Sequence, residues 1–189
     1  MAIDDVTLEV AGLRVCFTWR DDRYTHALWA DRGGEWTRLL ESVEGDPSEP
    51  WPASPPWQSL HVEPRAGGSQ VALLVGMAGK SHWSAGIELD PRVAQVRFEI
   101  ACRAAEPRGP LGSRYQLATP VERATSTNVQ FAAPRAPTEP NRAGPCLSVP
   151  TAEPEARLTV ADGEIAIVPE LPAQSVAVRT ICWSYVFSR

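Results

Sequence analysis

The chain is short of most of what would equip it for familiar chemistry. Of its 18 basic residues only Lys80 is a lysine, and 23 acids leave a net charge of -5. Phosphate backbones are held by concentrated positive charge, so no nucleic-acid partner is expected. The skew from lysine to arginine is read as the signature of a GC-rich genome and carries no functional weight. Cysteine is sparse too: Cys16, Cys102, Cys146 and Cys182 are far apart, with no CxxC spacing. That pattern predicts no zinc site and no metal.

Long apolar runs are also missing. No stretch reaches the ~18 residues of a membrane-spanning helix, so no membrane partner is expected. The opening MAIDDVTLEV has acids where a secretory leader would be basic. A cytoplasmic protein with reduced thiols is the resulting expectation. Gly79, Lys80 and Ser81 match the end of GxxxxGK[ST], but Leu74 stands where the first glycine belongs and a strand-like alternation follows where a helix is needed. Nucleotide binding is therefore excluded, and no cofactor is expected. Nor does any segment show a helical period of 3.6.

What the sequence does contain is strand alternation, most clearly in Gln70 to Arg103. A four-residue loop at Asp90 to Val93 sets Leu89, Ile87, Ala85 and Trp83 against Ala94, Val96, Phe98 and Ile100. A five-residue loop at Ala78 to His82 sets Val71, Leu73, Val75 and Met77 against Leu89, Ile87, Ala85 and Trp83. Both registers bury the same face of the middle strand, and agreement between local registers favours a real sheet. The opposite face would carry Ala72, Leu74, Gly76, Ser84, Gly86 and Glu88, with Arg97, Glu99 and Arg103 alongside. Glycine inside a strand often marks the close approach of a ligand or another backbone. Gly76 and Gly86 would thus leave a shallow depression beside Glu88, Arg97 and Glu99, unless the face is simply a solvated one with cross-strand ion pairs.

Elsewhere, Ala11 and Gly12 predict a hairpin pairing Val10 with Leu13, Leu8 with Val15 and Val6 with Phe17. RDDRYTH, Arg20 to His26, reads as a charged turn in which Asp21 or Asp22 could orient His26 as an acid and base pair. A turn at Arg32 and Gly33 sets Trp29 opposite Trp36, as a core anchor or an exposed aromatic platform. The proline-dense excursion over 45–57 cannot be a central strand; its Trp51 and Trp57 either form a binding loop or cap the core. His61 is expected to point outward from a short strand over Gln58 to Glu63. A second proline-rich excursion, 132–157, is read as a strap within the same domain. Asp162 and Gly163 predict a hairpin pairing Val160 with Ile165 and Leu158 with Ile167. A switch of apolar parity near Arg179 and Thr180 predicts a β-bulge or a strand crossing between sheets.

The fold expected is a single all-β domain over 1–189, an antiparallel β-sandwich of about ten to thirteen short strands. Its expected role is a non-enzymatic binding module for a carbohydrate or protein partner, acting through Glu88, Arg97, Glu99 and Arg103 or through Trp51 and Trp57. The alternative is a sugar-active enzyme of the epimerase or mutarotase kind, an analogy of fold class only. It would use His82 or His26 as proton carrier and Glu88 or Glu99 as base, and it needs a histidine and a carboxylate facing one cavity.

Overall fold

A computed structural model describes residues 5–46, 49, 51–105, 109–132, 144–149, 156–170 and 178–189. These hold fifteen strands and one short 3-10 turn, Ala66–Gly68. The first strands are β1 Val6–Val10, β2 Leu13–Arg20, β3 Arg23–Asp31, β4 Trp36–Ser42 and β5 Ser59–Pro64. Then come β6 Gln70–Ala78, β7 Ser81–Asp90, β8 Gln95–Ala105, β9 Ser113–Leu117 and β10 Val121–Ala124. The last are β11 Asn128–Phe131, β12 Cys146–Ser148, β13 Ala156–Ala161, β14 Glu164–Pro169 and β15 Val178–Ser188. A seven-stranded sheet runs β1-β2-β3-β4-β9-β14-β13, and an eight-stranded sheet runs β10-β11-β12-β15-β8-β7-β6-β5. The ladders are antiparallel, so the all-β sandwich is as expected, with more strands than ten to thirteen. One of the additional strands is β12, which forms inside the proline-rich excursion, while the charged turn contracts to Asp21 and Asp22 so that β3 begins at Arg23. Among the described residues no helix is long and apolar enough to cross a membrane, which says nothing of strands.

The two sheets share one buried cluster. Leu13, Val15, Phe17, Leu28 and Tyr115 come from the seven-stranded sheet; Ile87, Phe98, Trp183, Tyr185 and Phe187 come from the eight-stranded one. Each such side chain removed from water is worth ~1.5–3 kcal/mol. Phe98 and Tyr185 stack with centroids 4.6 Å apart, because β8 and β15 pair along eleven residues and set these rings side by side.

The hairpins β1–β2 and β13–β14 have the predicted registers. Asp162 and Gly163 both take positive φ, 52° and 78°, the type I′ geometry that matches strand twist. Three other registers differ. At the β7–β8 hairpin the loop is Pro91 to Ala94, so Leu89 meets Val96 and Ile87 meets Phe98. That is a slide of two, which preserves the faces.

The β6–β7 hairpin turns in two residues, Gly79 and Lys80, and Leu74 meets Ala85 while Leu73 meets Gly86. That slide is odd, and an odd slide turns every side chain over. Ala72 and Leu74 are therefore buried at 0% and 1%, whereas Leu73, Val75 and Met77 are 38%, 54% and 47% exposed. The expectation that Leu73 lies in the core is corrected. Replacing Leu73 by Ala should change the free energy of unfolding by less than ~1 kcal/mol. Urea denaturation measures it, and a loss above ~2 kcal/mol would return Leu73 to the interior.

The third difference is at β3–β4, where the turn spans Arg32 to Glu35, so that Trp36 meets Asp31 and Trp29 meets Arg38, and a bulge follows between Trp29 and Leu28. No bulge interrupts β15 among the described residues, since it pairs with β8 in one unbroken register from Val178 to Ser188; Val176, on which the predicted switch also rests, lies outside them.

Candidate functional site

Alternate residues of β6, β7 and β8 build the outer face of the eight-stranded sheet into a trough. Its floor is made of short groups, Ser84 and Gly86 of β7 with Ala101 of β8, because Ser84 lies across from Ala101 and Gly86 lies one step further along β7. One bank is apolar: Leu73, Val75 and Met77, all from β6. The other is charged: Arg97, Glu99 and Arg103, all from β8. Toward Arg103 the trough deepens into a depression of about 540 Å³, with Gln58 and Ser59 at one rim and Thr180 at the other.

The two glycines play opposite parts. A Cβ on Gly86 would meet nothing within 4 Å, so this glycine opens the outer face. A Cβ on Gly76 would lie 1.6 Å from the Pro56 carbonyl oxygen. Gly76 makes room for the protein's own backbone and not for a guest.

Of the residues expected to bind, Glu88, Arg97, Glu99 and Arg103 do share this face. Arg97 Nε sits 3.6 Å from Glu99 Oε1, along the strand and not across it, with both side chains more than half exposed. Such a pair contributes below ~1 kcal/mol and leaves both groups available. Glu88 accepts a hydrogen bond from Ser69 Oγ at 3.2 Å. Arg103 has no carboxylate partner among the described residues.

The acid and base pairings are not brought together. His82 is opposite Arg103, and Glu99 is opposite Gly86, four residues further along β7. At ~3.3 Å per residue that is ~13 Å, too wide to flank a single sugar ring; Glu88 is further still. His26 is on the other sheet and 4% exposed, not in a charged turn. Its ring lies between Phe17 and Phe98 with centroids at 5.8 and 5.9 Å. Asp22 instead holds Arg23 at 2.7 Å, so the proposed orienting pair with His26 does not form.

His26 belongs to an interior polar chain. Its Nε2 is hydrogen-bonded to the Tyr115 hydroxyl at 2.8 Å, and Tyr115 shares a hydrogen bond with the Tyr185 hydroxyl. Trp183 Nε1 donates to Ser113 Oγ at 3.1 Å beside them. Burial pulls the imidazole down to about 4 and raises both tyrosines, so the chain is neutral at pH 7. The backbone N–H of His26 donates to Ser42 Oγ at 2.9 Å, and Ser42 in turn donates to Glu44 Oε1 at 2.6 Å. Burial pushes the Glu44 carboxyl up to about 7, against the opposing pull of the Ser42 hydroxyl.

The tryptophans are structural. Trp57 is 1% exposed and Trp51 packs on Trp83 at 5.0 Å, donating its Nε1 to the Pro110 carbonyl at 2.7 Å. Trp51 and Trp57 thus pack on the core, and neither ring is offered as a flat surface to a ligand. Trp29 and Trp36 are outside the core, on the outer face of the seven-stranded sheet. Arg14 lies 3.8 Å over the Trp36 ring and Arg38 5.8 Å from that of Trp29. These aromatic faces are already covered by guanidinium groups.

Val75, Met77, Gln58 and Thr180 complete the site without having been placed on this face from sequence. For Val75 and Met77 the signal lay in the Gly79-Lys80 turn, which decides the parity of β6. Among the described residues no group of three or more His, Cys, Asp and Glu side chains could hold a metal ion. No protein-family model and no curated protein matches the chain.

Proposed function

We propose that this protein is a non-enzymatic binding module whose ligand surface is the outer trough of the eight-stranded sheet. One observation carries the reading. Of the five large apolar side chains exposed among the described residues, three, Leu73, Val75 and Met77, line one bank of one trough. Scattered apolar residues on a surface are ordinary, but a contiguous stripe beside a small-residue floor suits a partner. The charged bank of Arg97, Glu99 and Arg103, with Glu88 near the far end, supplies orientation.

A carbohydrate or a protein segment are the two partner classes expected from sequence. The carbohydrate version has less support, since sugars stack on open aromatic rings and the floor and banks contain none. Screening the protein on a glycan array and a peptide array tests both. A genuine ligand should lose at least about tenfold in affinity on Ser84→Arg, which fills the trough, and keep it on Trp36→Ala, which lies on the opposite sheet. Binding that survives Ser84→Arg would remove the trough as the site.

A further inference from the structure

We infer that the deep end of the trough, between Met77 and Arg103, binds a small molecule that carries a carboxylate on an apolar body. The inference rests on the reading of this face as the ligand surface and adds the chemistry of the guest. Consider the charges first. The protein has a net charge of -5, yet the depression is lined by two basic side chains, His82 and Arg103, and by no carboxylate. The other arginines of β8 and its flanking turns are matched: Arg97 with Glu99, Arg92 with Asp90, and Arg65, beside β6, with Glu63. Arg103 has no such partner among the described residues, and its guanidinium is a planar fork suited to a carboxylate.

Across the floor from Arg103 stand Val75 and Met77, exposed at 54% and 47%. On β7 His82 stands directly between Met77 and Arg103, and one step along the strand Ser84 and Ala101 are too short to fill the gap beside Val75. A ligand that puts its anion on Arg103 therefore lays its body against Val75 and Met77, about two strand spacings or ~10 Å away. The volume of about 540 Å³ falls within the ~300–1,000 Å³ of small-molecule sites. An extended peptide is a poorer occupant. Peptides that join sheets draw affinity from main-chain hydrogen bonds at an edge. Here β6, β7 and β8 already pair on both sides, so the face offers a guest only side chains.

The test uses octanoate, octanamide and acetate, titrated separately into the full chain and followed by amide chemical shifts. Octanoate should move the signals of Met77, His82, Ser84 and Arg103. Octanamide, which lacks the charge, and acetate, which lacks the apolar body, should each bind at least about fivefold more weakly. Arg103→Gln should weaken octanoate about tenfold, to the level of octanamide, and Met77→Ser should weaken it comparably. Both positions are exposed, so the variants should unfold at the wild-type urea midpoint. Arg97→Gln, outside the depression, should change affinity less than about twofold. Equal affinity for octanoate and octanamide, no effect of Arg103→Gln, or shifts mapped to another face would each overturn the inference. If an array ligand maps to the trough while octanoate shows no preference over octanamide, the anion chemistry falls and the binding module stands. If neither arrays nor octanoate perturb the trough, both fall.

Discussion

Gly76→Ala is expected to cost ~3 kcal/mol or more, measured as a lower urea midpoint at unchanged slope. The added methyl would sit 1.6 Å from the Pro56 carbonyl oxygen, and that oxygen is backbone and cannot swing aside. Either β6 is pushed off its partners or the segment from Pro56 to Gln58 leaves its seat. The second outcome breaks the bonds that hold this segment: Gln58 N–H to the Val75 carbonyl at 2.9 Å, and the Met77 N–H to Gln58 Oε1 at 3.0 Å. It also exposes Trp57, one of the largest fully buried side chains, whose burial alone is worth ~3 kcal/mol. Gly86→Ala is the control. Open space surrounds that position, and replacing a strand glycine by alanine should raise stability by ~0.5 kcal/mol. Equal stabilities for the two variants would show that Pro56 does not rest on Gly76.

The second large effect concerns pH. His26 is held at about 4, below its ordinary 6.5, so its contribution to stability is complete above pH 6.5 and is lost as pH falls toward 4. Glu44 is raised to about 7 from 4.5, so its contribution is complete below pH 4.5 and is lost as pH rises through 7. Each slope approaches ~1.4 kcal/mol per pH unit for one proton, and the two have opposite signs over nearly the same interval. The native protein should therefore hide both titrations between pH 4.5 and 6.5. Removing either group uncovers the other. Relative to wild type, Glu44→Gln should lose ~2 kcal/mol more stability on going from pH 6.5 to 5, and His26→Gln should gain a similar amount. Chemical denaturation at three pH values measures both, and curves parallel to wild type would refute the coupling of these groups to folding.

How much of this was readable from sequence depends on whether one face or two faces of a strand are apolar. Leu8, Val10, Leu13 and Val15 alternate with polar residues, so a single register buries them, and the structure has that register. Ile87 and Phe98 likewise survive an error in the loop, because a slide of two leaves parity untouched. Gln70 to Ala78, in contrast, is apolar on both faces. Alternation cannot choose between Leu73 and Leu74, so the choice falls to the turn, and a five-residue loop in place of Gly79-Lys80 inverts the strand. That single inversion concealed the apolar bank while leaving Arg97, Glu99 and Arg103 correctly outward. His26 was missed for another reason. Its neighbours Asp21, Asp22 and Arg23 are charged, but from Arg23 onward the chain is strand, and strand parity sends His26 inward regardless of local composition.

The segment at Trp57 and Gln58 has a mechanical consequence. The Tyr24 N–H, in the seven-stranded sheet, donates to the Trp57 carbonyl at 2.7 Å, while the next residue, Gln58, donates to Val75 in the eight-stranded sheet at 2.9 Å. Two adjacent residues thus rivet one layer to the other at the rim of the trough. The layers cannot shear at this end without drawing that rivet, and a guest that tugs on Gln58 loads the far layer as directly as the near one.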